Sequence, residues 1–354
     1  MTDPVIDKRL LDYLCLNTGA QLEYAEPPSR ITGGFDTHIY AFRLSGAPEK
    51  LAGHLILRLF REDNPWVTLP SGQRALFEST VQNAIAEAGY SAPRVFAACT
   101  ENDVLGAPFL IMEKLQGRVM LEMLFRPSRI WLRLPEMLAQ SQARLHALDP
   151  AALINALQSH GLPVAPLSVS DWIAQVQTMI DYAALDGLRP GMRWLHDNAP
   201  AAGTAVICHG DFHPLNILVH AGAVSGVIDW PWVRLADPAY DVGATVAIFS
   251  QGPLALPDLL ARPVQAGRQW LLSRYRRAYQ RLRPLDETAV AYYEALRCLG
   301  FLLEAGMHWQ ADAKVIRRPE KPSAFATVPV ARSVIRRLRR ITGLTLSLPN
   351  VPRR

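Results

Sequence analysis

The sequence predicts an α+β fold of two lobes: a small β-rich N-terminal lobe with one helix, and a larger, mostly helical C-terminal lobe. Three observations carry this. A length of 354 residues corresponds to about two lobes or domains. Short apolar runs of strand type surround one helix-like segment in the first third of the chain. Beyond it the apolar spacing is helical, apart from a loop-rich stretch flanked by short strands between residues 205 and 229. The expected division is 1–116 for the N-terminal lobe and its exit segment, 117–325 for the helical lobe, and 326–354 for a basic amphipathic tail.

Each element follows from its residues. Ile31-Thr-Gly-Gly-Phe-Asp-Thr-His-Ile-Tyr40 is a glycine turn entering a strand from Ile39 to Leu44. Leu51 to Phe60 holds a second strand, with Arg58 near its end. Ala75 to Gly89 has helical spacing, with Leu76, Val81, Ala84, Ile85 and Ala88 on one side and Gly89 as a stop. Leu138 to Leu148 and Val169 to Leu185 are helical, the second opening at Ser170-Asp171. Ala205 to Cys208 reads as a strand. His209-Gly-Asp-Phe-His-Pro214 is a loop, because Gly210 and Pro214 punctuate it. Ile217 to Val219 and Val224 to Ile228 form a hairpin about Ala221-Gly222-Ala223, which folds Asp229 back toward Asn216.

Composition narrows the class. Hydrophobic content of 49% and charged content of 19% suit a globular protein. No apolar run is long enough to span a bilayer, and Met1 to Lys8 lacks the apolar core of a signal peptide. Cys15, Cys99, Cys208 and Cys298 are scattered, without metal or disulfide spacing. A reducing cytoplasm is the expected compartment. Residues 1–261 carry 18 Lys+Arg against 26 Asp+Glu, a balance of −8. Residues 262–354 carry 19 against 6, or +13, and together these give the net +5. Val330, Val334, Leu338 and Ile341 mark one face of a tail helix, with Arg332, Arg336, Arg337, Arg339 and Arg340 on the others. This reads as a docked helix with solvated arginines; contact with an anionic membrane surface is the alternative. No nucleic-acid module is recognisable.

The chemistry concentrates in His209-Gly-Asp-Phe-His-Pro-Leu-Asn216 and Ile228-Asp-Trp230. Asp211 and Asn216 stand five positions apart, the spacing of base and metal ligand in a phosphoryl-transfer loop, with a second aspartate following on a hairpin. These motifs resemble the aminoglycoside phosphotransferase family, the small-molecule branch of the protein-kinase-like fold. Gly210 stands where protein kinases carry arginine, which argues against phosphorylation-regulated protein kinases. The resemblance implies Asp211 as catalytic base, and Asn216 and Asp229 as Mg²⁺ ligands. It also implies Gly33 and Gly34 as the nucleotide-covering turn, Arg58 as the phosphate-gripping residue and Glu78 as its partner. Glu113 and Leu115 would meet the base of ATP or GTP. His209, His213, Asp237 and Asp241 would support the loop. Most kinases carry lysine where Arg58 stands, and the two side chains are not interchangeable.

The function implied is transfer of the γ-phosphate of ATP or GTP to a hydroxyl of an antibiotic-like or metabolite acceptor. The alternative is a catalytically silent, kinase-shaped nucleotide-binding protein. Acceptor identity, nucleotide choice and oligomeric state are not written in the sequence.

Overall fold

A computed structural model describes residues 4–31, 37–60, 69–125, 129–164, 168–201, 203–253, 258–310, 325–349 and 351. Two compact units make up the chain. The first contains residues 1–118, 151–163 and 218–231; the second contains 119–150, 164–217 and 232–354.

The first unit is built on a five-stranded antiparallel sheet. Its elements are α1 (Pro4–Thr18), β1 (Glu23–Ile31), β2 (Thr37–Ser45), β3 (His54–Phe60), α2 (Ser71–Glu87), β4 (Val95–Cys99) and β5 (Phe109–Glu113), with strand order β1-β2-β3-β5-β4. Successive side chains of a strand point to opposite faces. In β3, Leu55, Leu57 and Leu59 therefore join Phe109 and Ile111 of β5 in the core that also takes Leu10 and Leu14 of α1. Ile56 and Phe60 face the other way, with Leu110, Met112 and Ala75 of α2. Arg58 shares the parity of Ile56 and Phe60, so alternation alone turns it toward α2. Pro27 and Pro28 sit in β1, an edge strand, where their missing N–H groups coincide with the register break between Glu26 and Ser29.

Helix α2 starts four residues earlier than its apolar spacing predicts and buries a different side. Val81 and Ile85 are buried, but Leu76 and Ala84 are half-buried and Ala88 is exposed. The inward face instead includes Arg74, Glu78 and Gln82, because two charges here have found each other. Gly89, at φ +80°, stops the helix as expected. Its N–H donates to the Ala86 carbonyl and that of Tyr90 to the Ile85 carbonyl, the paired closure that a left-handed residue allows.

From β6 (Arg118–Val119) the chain enters the second unit, with α3 (Leu134–Leu145), and then contributes α4 (Pro150–Ser159). Next come α5 (Val169–Tyr182), α6 (Arg189–Asp197) and β7 (Val206–Cys208). The hairpin of β8 (Ile217–His220) and β9 (Ala223–Val227) follows, with β10 (Arg234–Ala236) after it. Last are α7 (Pro238–Gln251), α8 (Asp258–Leu282), α9 (Glu287–Gln310) and α10 (Val328–Thr342). Ser168 caps α5 by accepting from the Asp171 N–H, two residues ahead of the expected opening. In the second unit α7 packs on α9, α3 on α8, and α10 on α9. Helix α7 is buried almost all round, Asp241 and Thr245 included.

Helix α10 is docked. Its buried residues are Ala331, Val334 and Leu338, while Val330 and Ile341 are only half-buried. The inward stripe thus begins one position later than the large side chains suggest, because small Ala331 fits under the contact. Arg337 completes the docking with a pair of bonds to Glu294 at 2.5 and 2.7 Å. Of the four cysteines, Cys99, Cys208 and Cys298 are buried free thiols. Among the described residues no helix is long and apolar enough to cross a membrane.

Candidate active site

The residues of the loop from His209 to Asn216 are assembled within the second unit. Strand β7 pairs antiparallel with β10, Cys208 opposite Arg234, and delivers the chain to His209. Gly210 then adopts φ +78°, and a Cβ there would lie 2.1 Å from the Trp232 carbonyl oxygen. No side chain fits, so glycine here is a packing requirement. Asp241, fully buried on α7, accepts the N–H groups of His209 (3.1 Å) and Gly210 (2.8 Å) and a bond from His146 Nε2 at 3.2 Å. Burial alone would raise its pKa, but those bonds and the charges of His146 and His209 outweigh it and hold Asp241 below the ordinary carboxylate range. The layer continues through His146 to Tyr279 and through Thr245 to the Phe212 carbonyl and Gln142. His146, Cys208 and Asp241 also cluster within 4.8 Å. Their polar atoms are already committed to one another, to Tyr279 and to backbone, so the group is a brace.

Asp211 is held on both oxygens. Oδ1 accepts from Arg297 Nη2 at 2.8 Å; Oδ2 accepts from His213 at 3.1 Å and from Asn216 Nδ2 at 3.2 Å. His213 Nδ1 accepts the Leu215 N–H, which leaves the proton on Nε2 for Asp211. Burial pushes the Asp211 carboxyl up, but His213, Arg297 and His209 outweigh it and hold it well below the usual carboxylate range. Asn216, buried, spends its amide nitrogen on Asp211, so its Oδ1 remains an oxygen donor with no partner among the described residues. Asp237 caps α7 through the Ala239 N–H at 2.7 Å.

The first unit holds the other predicted residues. Glu78, with its side chain fully buried, pairs with Arg58 at 3.0 Å and with Arg74 at 2.8 Å. Both guanidinium groups also lie over the Phe60 ring, at 5.4 and 5.1 Å. Arg58 reaches Asp229 Oδ1 at 3.1 Å. The Asp229 hairpin turns on Ala221 (φ 48°) and Gly222 (φ 79°), the two-residue turn whose twist suits paired strands. It is pinned on several sides. Ser225 Oγ donates to the Gln116 carbonyl, Val227 N–H to the Ser91 carbonyl, and buried Trp230 meets the edge of Tyr90. Leu115 lies where a Cβ on Gly226 would come within 2.2 Å, so the exit segment after Glu113 is seated on β9. Asp229 itself has φ 69°, rare for a residue with a side chain and a form of strain concentrated at working sites. Its carboxylate is 43% exposed, with one oxygen on Arg58 and the other without a partner among the described residues.

Asp229 offers a carboxylate oxygen and Asn216 a neutral amide oxygen, each a donor type that suits a hard divalent cation. Gly33 and Gly34 lie outside the described residues. Three participants escaped the sequence reading. Arg74 was visible one helical turn before Glu78. His146 sat in the expected helix from Leu138 to Leu148, without a role of its own. Arg297 had one signal, a lone charge inside the apolar run Ala295 to Leu303.

The human acyl-CoA dehydrogenase family member 11 is 27% identical over 212 residues, 56% of this chain and 26% of that protein. The chain thus spans about a quarter of the length of the curated relatives it matches. A Ralstonia eutropha JMP134 protein, solved as a candidate aminoglycoside phosphotransferase, superposes with TM-score 0.66 at 18% identity, covering 95% of this chain and 98% of that one. The aminoglycoside phosphotransferase APH(4)-Ia, solved with AMP-PNP and hygromycin B, gives 0.56 at 16%, covering 94% and 98%. Both share the kinase-like fold. Since the sequence pattern of the phosphotransferase enzyme family matches residues 29–285, well over half of the chain, the protein belongs to that family.

Proposed function

We propose that the chain is a Mg²⁺-dependent small-molecule O-phosphotransferase that moves the γ-phosphoryl group of ATP or GTP to an alcohol. The observation that carries this reading is the grip on Asp211, which fixes both carboxylate oxygens and keeps the group ionised. An acceptor hydroxyl donating to Asp211 is oriented for attack. Its oxygen bonds to phosphorus, the bond to the nucleoside diphosphate breaks, and the hydroxyl proton passes to Asp211. A base held so acidic takes that proton late, in keeping with a loose transition state in which positioning and electrostatics dominate.

Asn216 and Asp229 would hold Mg²⁺ through their unpartnered oxygens, and the ion would supply charge that offsets the transferred group. Arg58, steadied by Glu78, would be the phosphate-gripping cation. Gly33, Gly34, Glu113 and Leu115 are assigned to the nucleotide on the same reading.

The acceptor belongs to the hydroxyl compounds; a relative of the same fold was solved with hygromycin B. The test is a panel of hydroxyl compounds with each triphosphate, read by mass spectrometry for an added phosphate. Asp211→Asn should lower turnover by about 10²–10⁴-fold while nucleotide binding persists. Undiminished turnover in that variant removes Asp211 from the role.

A further inference from the structure

Arg297 is more than a clamp on Asp211. It lies on α9 with its side chain 22% exposed. Its position is set by packing: the guanidinium carbon stands 4.9 Å from the centroid of the Phe301 ring, and that ring stacks on Phe325 at 3.8 Å. A guanidinium presents five N–H donors in a rigid fork. Among the described residues Arg297 uses one of them, the Nη2 bond to Asp211. Its Nε is buried without a partner. Removing a cation from water for a single charged bond is poorly repaid, and truly closed sites satisfy the remaining donors.

Oδ2 of Asp211 already takes two bonds, from His213 and Asn216, and Arg297 spends one donor on Oδ1. Arg297 also adds positive charge beside the group that receives the acceptor. A polycationic acceptor would meet that guanidinium, whereas a carboxylate or phosphate would find idle donors in the fork geometry that suits it.

We infer that Arg297 is an acceptor-binding residue that recognises a carboxylate or phosphate on the acceptor, so the substrate class is an anionic alcohol. This rests on the phosphotransferase reading for the hydroxyl's fate, but the anion site itself does not. Asp211 and the acceptor's anion would share one guanidinium, which fixes the distance between the reacting hydroxyl and the anionic group to a few bonds.

The test uses the full chain and charge-matched acceptor pairs: hydroxycarboxylates beside their primary amides, polyol phosphomonoesters beside the free polyols, and an aminoglycoside. Anionic members should be the ones phosphorylated. Arg297→Gln should raise KM for them by about 10–100-fold more than for their neutral partners, beyond any loss of kcat common to both. Arg297→Lys keeps the charge but loses the fork; it should show a smaller rise of the same selectivity, and it serves where the glutamine variant does not fold. Preferential phosphorylation of neutral or cationic members overturns the inference. So does an equal loss of kcat across each pair without that difference in KM, which would leave Arg297 as a positioning residue for Asp211. A second arm needs no turnover: inorganic phosphate is titrated calorimetrically into protein saturated with MgADP. Wild type should bind it and Arg297→Gln should not; equal binding, or none in either, overturns the site. Should the panel yield no product while the phosphate titration keeps its dependence on Arg297, the phosphotransfer reading fails and the anion site stands.

Discussion

At the scale of single residues, the site is a problem of keeping two carboxylates charged in places that disfavour charge. Asp211 and Asp241 both lie where burial raises a carboxyl pKa, and both are pulled the other way by cations and N–H donors. For Asp211 the largest opposing influence is His213. In its proposed role as base Asp211 must be ionised to act, so a depressed pKa would keep it working as pH falls through the ordinary carboxylate range near ~4. His213→Ala removes that influence and leaves burial in place. The acid limb of kcat/KM should then move to higher pH, and a profile between pH 4.5 and 7 that matches wild type would contradict the assignment. Asp241 carries the stability counterpart. Its folded pKa is lowered, so its contribution is present above the unfolded value near ~4 and is lost as pH falls through the folded one. Asp241→Asn should cost about 3–5 kcal/mol at neutral pH, because two loop N–H groups and His146 lose their anion. In denaturant titrations the gap between variant and wild type should narrow below pH ~4.

Elements show what a sequence can and cannot disclose. The short strand at Val206, the loop after it and the β8–β9 hairpin were legible, because glycine, proline and period-two spacing act locally. Arg58's direction was legible too, once Ile56 and Phe60 were read as its parity mates. The buried face of α2 was not. Apolar spacing marks residues that gain by leaving water, and it is blind to Arg74 and Glu78, which go inside because they pair. Arg297 was hidden for a different reason: its partner is 86 positions away, and no periodicity encodes a meeting of α9 with the loop. The tail helix was legible as amphipathic, but its register against α9 depended on Ala331, too small to weigh in a stripe of large side chains. Its Arg337 bonds Glu294, whose side chain is 3% exposed. Arg337→Ala strands that carboxylate and should cost about 3–5 kcal/mol, whereas replacing both partners by apolar residues should cost far less. Urea titrations of the two single variants and the double variant measure the difference. Arginines 336, 339 and 340 face away from the contact, and neutralising them should leave the midpoint within about 0.5 kcal/mol of wild type.

Across the whole molecule, the decisive feature is that each unit is discontinuous. The first unit is complete only when residues 151–163 and 218–231 have joined 1–118. Asp229, the partner of Arg58, arrives with the last of these segments, and so do Trp230 against Tyr90 and Ser225 over Gln116. A fragment ending at Arg118 would keep the sheet but lose the hairpin that covers Leu115, and Arg58 would keep Glu78 without Asp229. Nucleotide binding is therefore expected to be a property of the full chain. A ligand at 100 times its Kd adds about 2.7 kcal/mol to stability, and a domain of this size gains about 2–4 °C in Tm per kcal/mol. MgATP should then raise Tm by roughly 5–10 °C in the full chain. Asp229→Ala should lose the Mg²⁺-dependent part of that rise, and the 1–118 fragment should show none. Differential scanning calorimetry with ATP, with and without Mg²⁺, reads all three. A fragment that melts cooperatively and gains the full Mg²⁺-dependent shift would place the metal requirement on residues before 118, and Asp229 would lose its proposed part in holding the ion.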